Sequence, residues 1–311
     1  QYNNLIKCAC IKNNDRILII VDYKTKKIKE ELYKILKKKN YYSEIVIDKE
    51  VNMHGKEPSK MVAKEMLNFN IIFGMRSFSL LHTKARNQAS QNGAKFLSLP
   101  DYINTINSKS LEIDFLKSGK KSYKIKQILD KSNNIYIFSK EGTNLFASIK
   151  NRKANAAPGY CKKNGDVSSP PDIETNIAPI EFSANGKIVI DGSIPHPLLG
   201  KLNSKIILEI SDGKIKNISG KQSKTLRKIF ENNGNKSKIL GEIGFGLNKK
   251  AKISGNMLED EGVYGSIHFG FGSNFTFGGK IKTSFHLDMV LKKPYVFLDN
   301  YLILKDNNFY I

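Results

Sequence analysis

Apolar and polar positions change their period about a third of the way along the chain, and this change divides the molecule. Residues 16–21 (RILIIV) form a continuous apolar run that reads as a buried strand. Residues 24–38 follow with Ile28, Leu32, Ile35 and Leu36 on a single helical stripe. The alternation then repeats: strands are expected at 43–47, 70–73 and 96–99, and helices at 58–67 and 83–91. The first of these helices opens on Pro58, and the second stops at Asn92-Gly93. Strands joined by short helical crossovers predict a doubly wound, mostly parallel sheet with helices on both faces.

Beyond a lysine-rich stretch at 104–130, expected to be helical, the period becomes two. Runs at 134–138, 145–149, 187–191, 205–210 and 214–219 read as strands, and Asn185-Gly186 and Asp212-Gly213 mark hairpin turns. One helix is expected at 221–232. The predicted class is therefore α/β plus α+β, with an N-terminal α/β domain at 1–130 and a β-rich mixed domain at 131–311 that carries the candidate metal site. A long loop rich in glycine, proline and asparagine occupies 152–179, where Glu174 reads either as functional or as a surface carboxylate.

Composition narrows the partners. The chain has 311 residues, is 40% apolar and carries a formal charge of +22. Nearly all of the positive charge is lysine, with arginine only at Arg16, Arg76, Arg86, Arg152 and Arg227. Nucleic-acid sites favour arginine forks and aromatic stacking, so a solvated lysine surface is expected, with no nucleic acid and no membrane as partner. No apolar run approaches the ~20 residues needed to cross a bilayer. Cys8, Cys10 and Cys161 form neither an even disulfide set nor a CxxC pair, which points to a reducing cytoplasm. The opening residue is Gln1 and not methionine, so the position of the true N-terminus is left open. No GxGxxG follows the first strand, where DYKT stands instead, and a dinucleotide site is not supported.

Candidate chemistry is concentrated between residues 241 and 288, which hold Glu242, Glu259, Glu261, His268, His286 and Asp288. His286 and Asp288 are spaced i and i+2, so on a strand they share a face and can offer two ligands to one ion. His268 is the polar member of an apolar run and needs a buried partner or a metal. Imidazoles with carboxylates suit Zn, Mn, Fe or Co better than Ca or Mg. The plain alternative is a core histidine hydrogen-bonded to an acid, and spacing does not choose between the two. Glu259 and Glu261 read first as a surface LEDE turn and second as acids that orient a ligand. His54 and His82 read as loop and helix-start contacts, His196 as a turn between prolines, and Cys161 as a loop thiol outside the site.

Residues 171–179 (PDIETNIAP), Ser183-Ala184-Asn185-Gly186, Gly241-Glu242, His268 with Gly272, and His286-Leu287-Asp288 resemble the aminopeptidase T family of metallo-aminopeptidases. Residues 53–58 (MHGKEP), 81–86 (LHTKAR) and Leu99-Pro100 extend the resemblance through the first half. The same superfamily contains 2,5-dihydroxypyridine dioxygenase, a non-haem iron ring-cleaving enzyme, which residues 278–288 (GGKIKTSFHLD) resemble closely. The aminopeptidase resemblance implies two metals held by Glu174, Glu242, His268, His286 and Asp288. The dioxygenase resemblance implies one iron held by two histidines and an aspartate. His286 and Asp288 match that set, but Glu242 stands at the other histidine, and Glu174 and His268 have no counterparts.

Ligand content therefore favours a metal-dependent aminopeptidase-like hydrolase, a metalloprotease that cleaves an N-terminal amide with metal-activated water. Two ions (Zn, Co or Mn) are expected, with Glu174 or Glu242 as general base, a peptide or small-molecule substrate, and a homodimer by resemblance to the family. One departure opposes it. The family's catalytic tyrosine falls on Phe275, and loss of an oxyanion donor costs about 2.7–4 kcal/mol. Tyr264, Asn274 or Lys250 is expected to substitute. The alternatives are a mononuclear Fe(II) oxygenase using Glu242, His286 and Asp288, and an accessory protein of the same fold with little or no turnover.

Overall fold

The computed structural model describes residues 1–311, which form two compact units. The first comprises Gln1–Lys117 with Gly159–Pro171, and the second Ser118–Pro158 with Asp172–Ile311. No helix is long and apolar enough to cross a membrane.

The first unit is built on parallel strands Ile17–Val21, Ser43–Ile47, Ile71–Gly74 and Lys95–Ser98, with the Ile17 strand between the Ser43 and Ile71 strands. The two-residue strand Val167–Ser168 adds in parallel beside Lys95–Ser98. The Ile17 strand is buried along its whole length, as expected when both faces of a sheet are covered. One layer of the core joins Leu18, Ile20, Ile72 and Phe96 to Val62, Met66, Ala85 and Ala89 from the helices. DYKT forms a tight turn in which Asp22 Oδ1 accepts from the Thr25 amide at 3.0 Å, so the helix starts later than the stripe predicts, at Ile28–Lys38. His54 is a loop contact, as expected, its Nδ1 accepting from the Ser79 amide at 3.0 Å.

The second unit holds an eight-stranded sheet that includes the expected runs Asn134–Phe138, Asn185–Ile190, Ile206–Ser211 and Lys214–Gly220, and the helix Ser223–Glu231. A separate five-stranded antiparallel sheet has the order His286–Leu291, Ile267–Gly272, Leu240–Gly246, Glu174–Ile177, Asn155–Ala157. Two expectations are corrected here. Residues 104–130 are broken into Tyr102–Thr105, Lys109–Leu111, Phe115–Ser118 and Lys120–Leu129. Ser108 Oγ accepts from the Ser110 amide and Asp114 Oδ1 from the Lys117 amide, so side chains take the donors a continuous helix would use. The supposed loop at 152–179 contributes three short strands, and Glu174 opens one of them as a buried residue.

The loops after the parallel strands are tied by one buried ion pair. Arg76 Nη1 lies 2.6 Å from Asp48 Oδ2, both side chains are fully buried, and Asp48 Oδ1 also accepts from the Ser59 amide. Replacing Arg76 by methionine strands a buried carboxylate, which costs about 3–5 kcal/mol in such sites. Urea unfolding should show a loss of that size in R76M, and a smaller loss in the D48N/R76M double variant, where no charge is left uncompensated.

Candidate metal centre

The five-stranded sheet separates its faces almost completely. On one face Ile177, Ile243, Phe269 and Met289 align across four strands and are fully buried. On the other, Glu174 pairs with Gly246, Asn176 with Gly244 and Gly244 with His268, while Glu242 pairs with Gly270, Gly270 with Asp288, and Gly272 with His286. Every predicted ligand therefore stands on one surface, with glycines between them. Glu242 reaches that surface through a bulge. The register shifts between Leu240 and Glu242, so Leu240 pairs with Phe271 on the apolar side while Glu242 pairs with Gly270 on the polar side.

The glycines make room for the imidazoles. A Cβ on Gly244 would come within 2.0 Å of His268 Nε2, and one on Gly270 within 2.7 Å of His286 Cε1. Any larger residue at either position would displace a ring. The strand sequences GEIGFG and HFGFG are thus alternating sheets of core residues and vacant cradle.

Two trios of ligand atoms result, and they share Glu242: Glu174, Glu242 and His268 form one, Glu242, His286 and Asp288 the other. Glu242 Oε2 lies 3.1 Å from His286 Nε2, and Glu242 Oε1 lies 3.7 Å from His268 Nε2. Asp288 Oδ1 is 3.2 Å from His286 Nε2, and Glu174 Oε2 is 3.0 Å from His268 Nε2. His286 Nδ1 sits 2.9 Å from the carbonyl oxygen of Ser273. A carbonyl only accepts, so Nδ1 carries a hydrogen and fixes the ring with Nε2 facing two carboxylate oxygens, the arrangement in which a metal ligand is oriented by its outer nitrogen. Glu174 Oε1 accepts from Asn176 Nδ2 at 2.7 Å and Oε2 faces His268 Nε2, whereas His268 Nδ1 is buried without a hydrogen-bond partner. The inner trio is closed, with His268 1% exposed, while the His286 side chain keeps 27% of its surface and opens the outer trio to solvent.

Electrostatics make the same point. Two further acids, Asp172 and Glu261, lie beside the trios, and Asp172 Oδ1 and Glu261 Oε1 are also buried and partnerless. Five carboxyls thus surround two imidazoles. Burial, with Glu174 next to it, pushes Asp172 well above the usual carboxylate range, and burial with Asp288 does the same to Glu261. Burial also raises Glu174, over the opposing pull of His268. Burial works against charge on Glu242 and Asp288 too, but the histidines overcome it, lowering Glu242 and holding Asp288 at about 2. Burial disfavours charge on both imidazoles, and the acids outweigh it, so His268 and His286 are raised well above their ordinary value. Carboxylates around imidazole nitrogens, with orphaned buried oxygens on Asp172 and Glu261, fit a divalent transition-metal cation that takes the place of the protons.

Other expected residues fall outside this cluster. Glu259 accepts from the Lys252 amide and Ser254 Oγ at the mouth of a short helix, Met257–Asp260. The surface reading holds for Glu259 but not for Glu261. The proposed substitutes for the missing tyrosine hydroxyl have other surroundings, Tyr264 accepting its bond from a lysine. Tyr264 is bound to Lys121 Nζ at 2.8 Å, Asn274 is spent on Glu181 and the Ile281 amide, and Lys250 is exposed. Phe275 itself is 58% exposed. Asp172 was missed, although its place in the PPDIE run beside Glu174 was a usable signal. A cavity of about 830 Å³ in the first unit is lined by Lys24, Lys49, Asn52 and Phe78 among others, and by none of the predicted ligands.

A doubly wound α/β unit and a β-rich unit bearing a carboxylate–imidazole cluster that could hold a metal ion make up a known architecture. The structure is similar to that of 2,5-dihydroxypyridine dioxygenase from Pseudomonas putida KT2440, with a TM-score of 0.82, 19% identity, and coverage of 99% of this chain and 95% of that one. It also resembles wild-type AmpT from Thermus thermophilus, with a TM-score of 0.69, 10% identity and 99% coverage of both chains. The chain belongs to the 2,5-dihydroxypyridine 5,6-dioxygenase (NicX) family, whose model matches residues 20–310. A curated relative, 2,5-dihydroxypyridine 5,6-dioxygenase from Pseudomonas putida (strain KT2440), is 29% identical over 185 residues, or 56% of this chain; the match spans about half of the relative's length, 53%.

These findings overturn the expectation of an aminopeptidase-like hydrolase, metalloprotease or protease. Ligand inventory misled because the same carboxylates and imidazoles serve either chemistry, whereas the match over residues 20–310 reports the whole scaffold. Phenylalanine at position 275, where the aminopeptidase resemblance implies a catalytic tyrosine, agrees with the correction. The shared architecture with AmpT remains.

In chelator, the raised histidines contribute stability that is full below their ordinary value of 6.5 and is lost as pH rises through their folded values. Asp288, lowered from 3.8 to about 2, contributes fully above 3.8 and loses its share only as pH falls toward 2. Thermal unfolding in chelator should therefore show a Tm that falls as pH rises above 6.5. A divalent cation should raise Tm increasingly over that window, because it replaces protons. A Tm in chelator that stays level with pH contradicts this electrostatic picture.

Proposed function

We propose that the chain is a metal-dependent ring-cleaving dioxygenase acting on a dihydroxylated aromatic ring. The observation that carries this reading is the outer trio, Glu242, His286 and Asp288, open at His286 in a chain of the dioxygenase family. Fe(II) suits a face of imidazole and carboxylates with open positions. When bound, it would supply the one-electron reactivity that dioxygen needs to attack a closed-shell ring. Both atoms of dioxygen enter the product, one on each carbon of the broken ring bond. The substrate supplies all the electrons, so the product has the composition of the substrate plus O₂ and no external reductant is consumed.

The chain's own residues orient the centre. The Ser273 carbonyl fixes the His286 ring. Glu174 Oε2, 3.0 Å from His268 Nε2, holds that imidazole on the inner side. The inner trio of Glu174, Glu242 and His268 is a second cation position in this reading, with Glu242 shared between the two. Its role is to balance buried carboxylate charge. Glutamate at position 242 makes the centre more anionic than a set of two histidines and one carboxylate.

The test is oxygen uptake by Fe(II)-loaded protein with a panel of dihydroxypyridines and dihydroxybenzenes. One O₂ should be consumed per ring opened, with both labelled oxygen atoms in the product and no amino acid released from peptides. H286A and E242A should lose iron and drop turnover by at least about 100-fold, the upper range for disturbing even the outer partners of a metal site. Full iron occupancy with no oxygen uptake on any ring defeats the reading.

A further inference from the structure

The connection between the His268 and His286 strands, residues 273–285, is not a slack loop. Asn274, fully buried, accepts from the Ile281 amide at 2.7 Å through Oδ1 and donates through Nδ2 to Glu181 Oε1 at 3.0 Å. Glu181 Oε1 also accepts from the Lys280 amide at 2.6 Å. Arg152 binds both Glu181 and the Gly278 carbonyl. The Asn274 carbonyl accepts from the amides of Phe277 and Gly279, and the Ser273 amide donates to the Phe285 carbonyl. This polar bracing holds a short 3₁₀ turn, Phe275–Phe277, whose apolar rings point away from the core: Phe275 is 58% exposed.

The exposed Phe275 ring adds little packing to the fold, while Ile281 and Phe285 anchor the segment, and its position is specific. The Phe277 ring lies 5.6 Å from the His286 imidazole, tilted by 45°, at the exposed edge of the outer trio. Lys282 Nζ stands 5.5 Å over the Phe275 ring. The segment contains no acid, and its two charged residues, Lys280 and Lys282, are exposed. Next to a deeply anionic cluster, the loop offers an aromatic face and a cation. These recognise a planar ring with an anionic substituent.

We infer that residues 273–285 form the substrate-selecting wall of the centre, with Phe277 covering the ring and Lys282 on Phe275 receiving a carboxylate, so that the preferred substrate is a dihydroxylated aromatic acid. This rests on the ring-cleaving reading and narrows its substrate class. Hydroxyls engage the metal trio, and the carboxylate faces outward to the lysine. Phe277 and Lys282 are binding residues and touch no reacting oxygen.

The test is calorimetric binding to full-length protein loaded with Fe(II) under nitrogen, comparing 2,5-dihydroxybenzoate, 2,5-dihydroxypyridine and 1,4-dihydroxybenzene. The acid should bind at least about fivefold more tightly, the scale of one favourable charge pair at a partly exposed site. K282E should abolish that preference while leaving the uncharged rings unchanged, and F277A should weaken all three. Oxygen uptake is read separately on the same samples. Equal affinities, or a preference that survives K282E, overturns the inference even if rings are cleaved. Selective binding of the acid with no oxygen consumed supports the wall and defeats the ring-cleaving reading instead. Binding of none of the rings overturns the wall.

Discussion

Glu242 is the group on which the site depends. Its two oxygens address two imidazoles on neighbouring strands, and both trios of ligand atoms include it. Carboxylates at this density do not stay buried unless protons or cations compensate them. Orphaned oxygens on Asp172 and Glu261 show that the protein's own hydrogen bonds do not complete the compensation. The folded chain is therefore a receptor for positive charge, and the accessible edge at His286 determines where a reactant can meet it.

The sheet makes this affordable by dividing labour between its faces. Ile243, Phe269 and Met289 supply a fully buried apolar layer on one side, so the opposite side can be given over to ligands without the strands losing their anchorage. Glycine between the ligands is the other half of the device: Gly244 and Gly270 give up side-chain packing so that two imidazole rings can lie flat against the strands. Stability and chemistry are thus carried by the same strands but by alternate residues.

Comparison with known proteins separates architecture from chemistry. AmpT shares the architecture at 10% identity, and the dioxygenase shares it at 19%. The family match over residues 20–310 decides the affiliation that the donor set alone assigned the other way. Glu242, Glu174 and His268 give this chain a richer ligand set than the iron-binding pattern implied by resemblance, and the braced segment after His268 borders it. A fold can host several chemistries, and the residues at its mouth discriminate among them.

Much of the first unit was legible in the sequence because its strands are continuous apolar runs and its helices carry one stripe each, both of which are local patterns. Period-two alternation likewise announced that His286 and Asp288 share a face. Other features were beyond any local reading. Asp114 and Ser108 break the expected helix through side-chain caps, and Val167–Ser168 returns to the first unit's sheet from within the second half of the chain. Leu240 and Glu242 have the same parity in sequence, yet the bulge at Gly241 sends them to opposite faces, and no periodicity rule anticipates that. Residue type and spacing determined which side chains could hold a cation. Resemblance placed Glu174 among them, but only the tertiary structure decided that Asp172 and Glu261 join, because burial and strand pairing are properties of contacts between segments far apart in the chain.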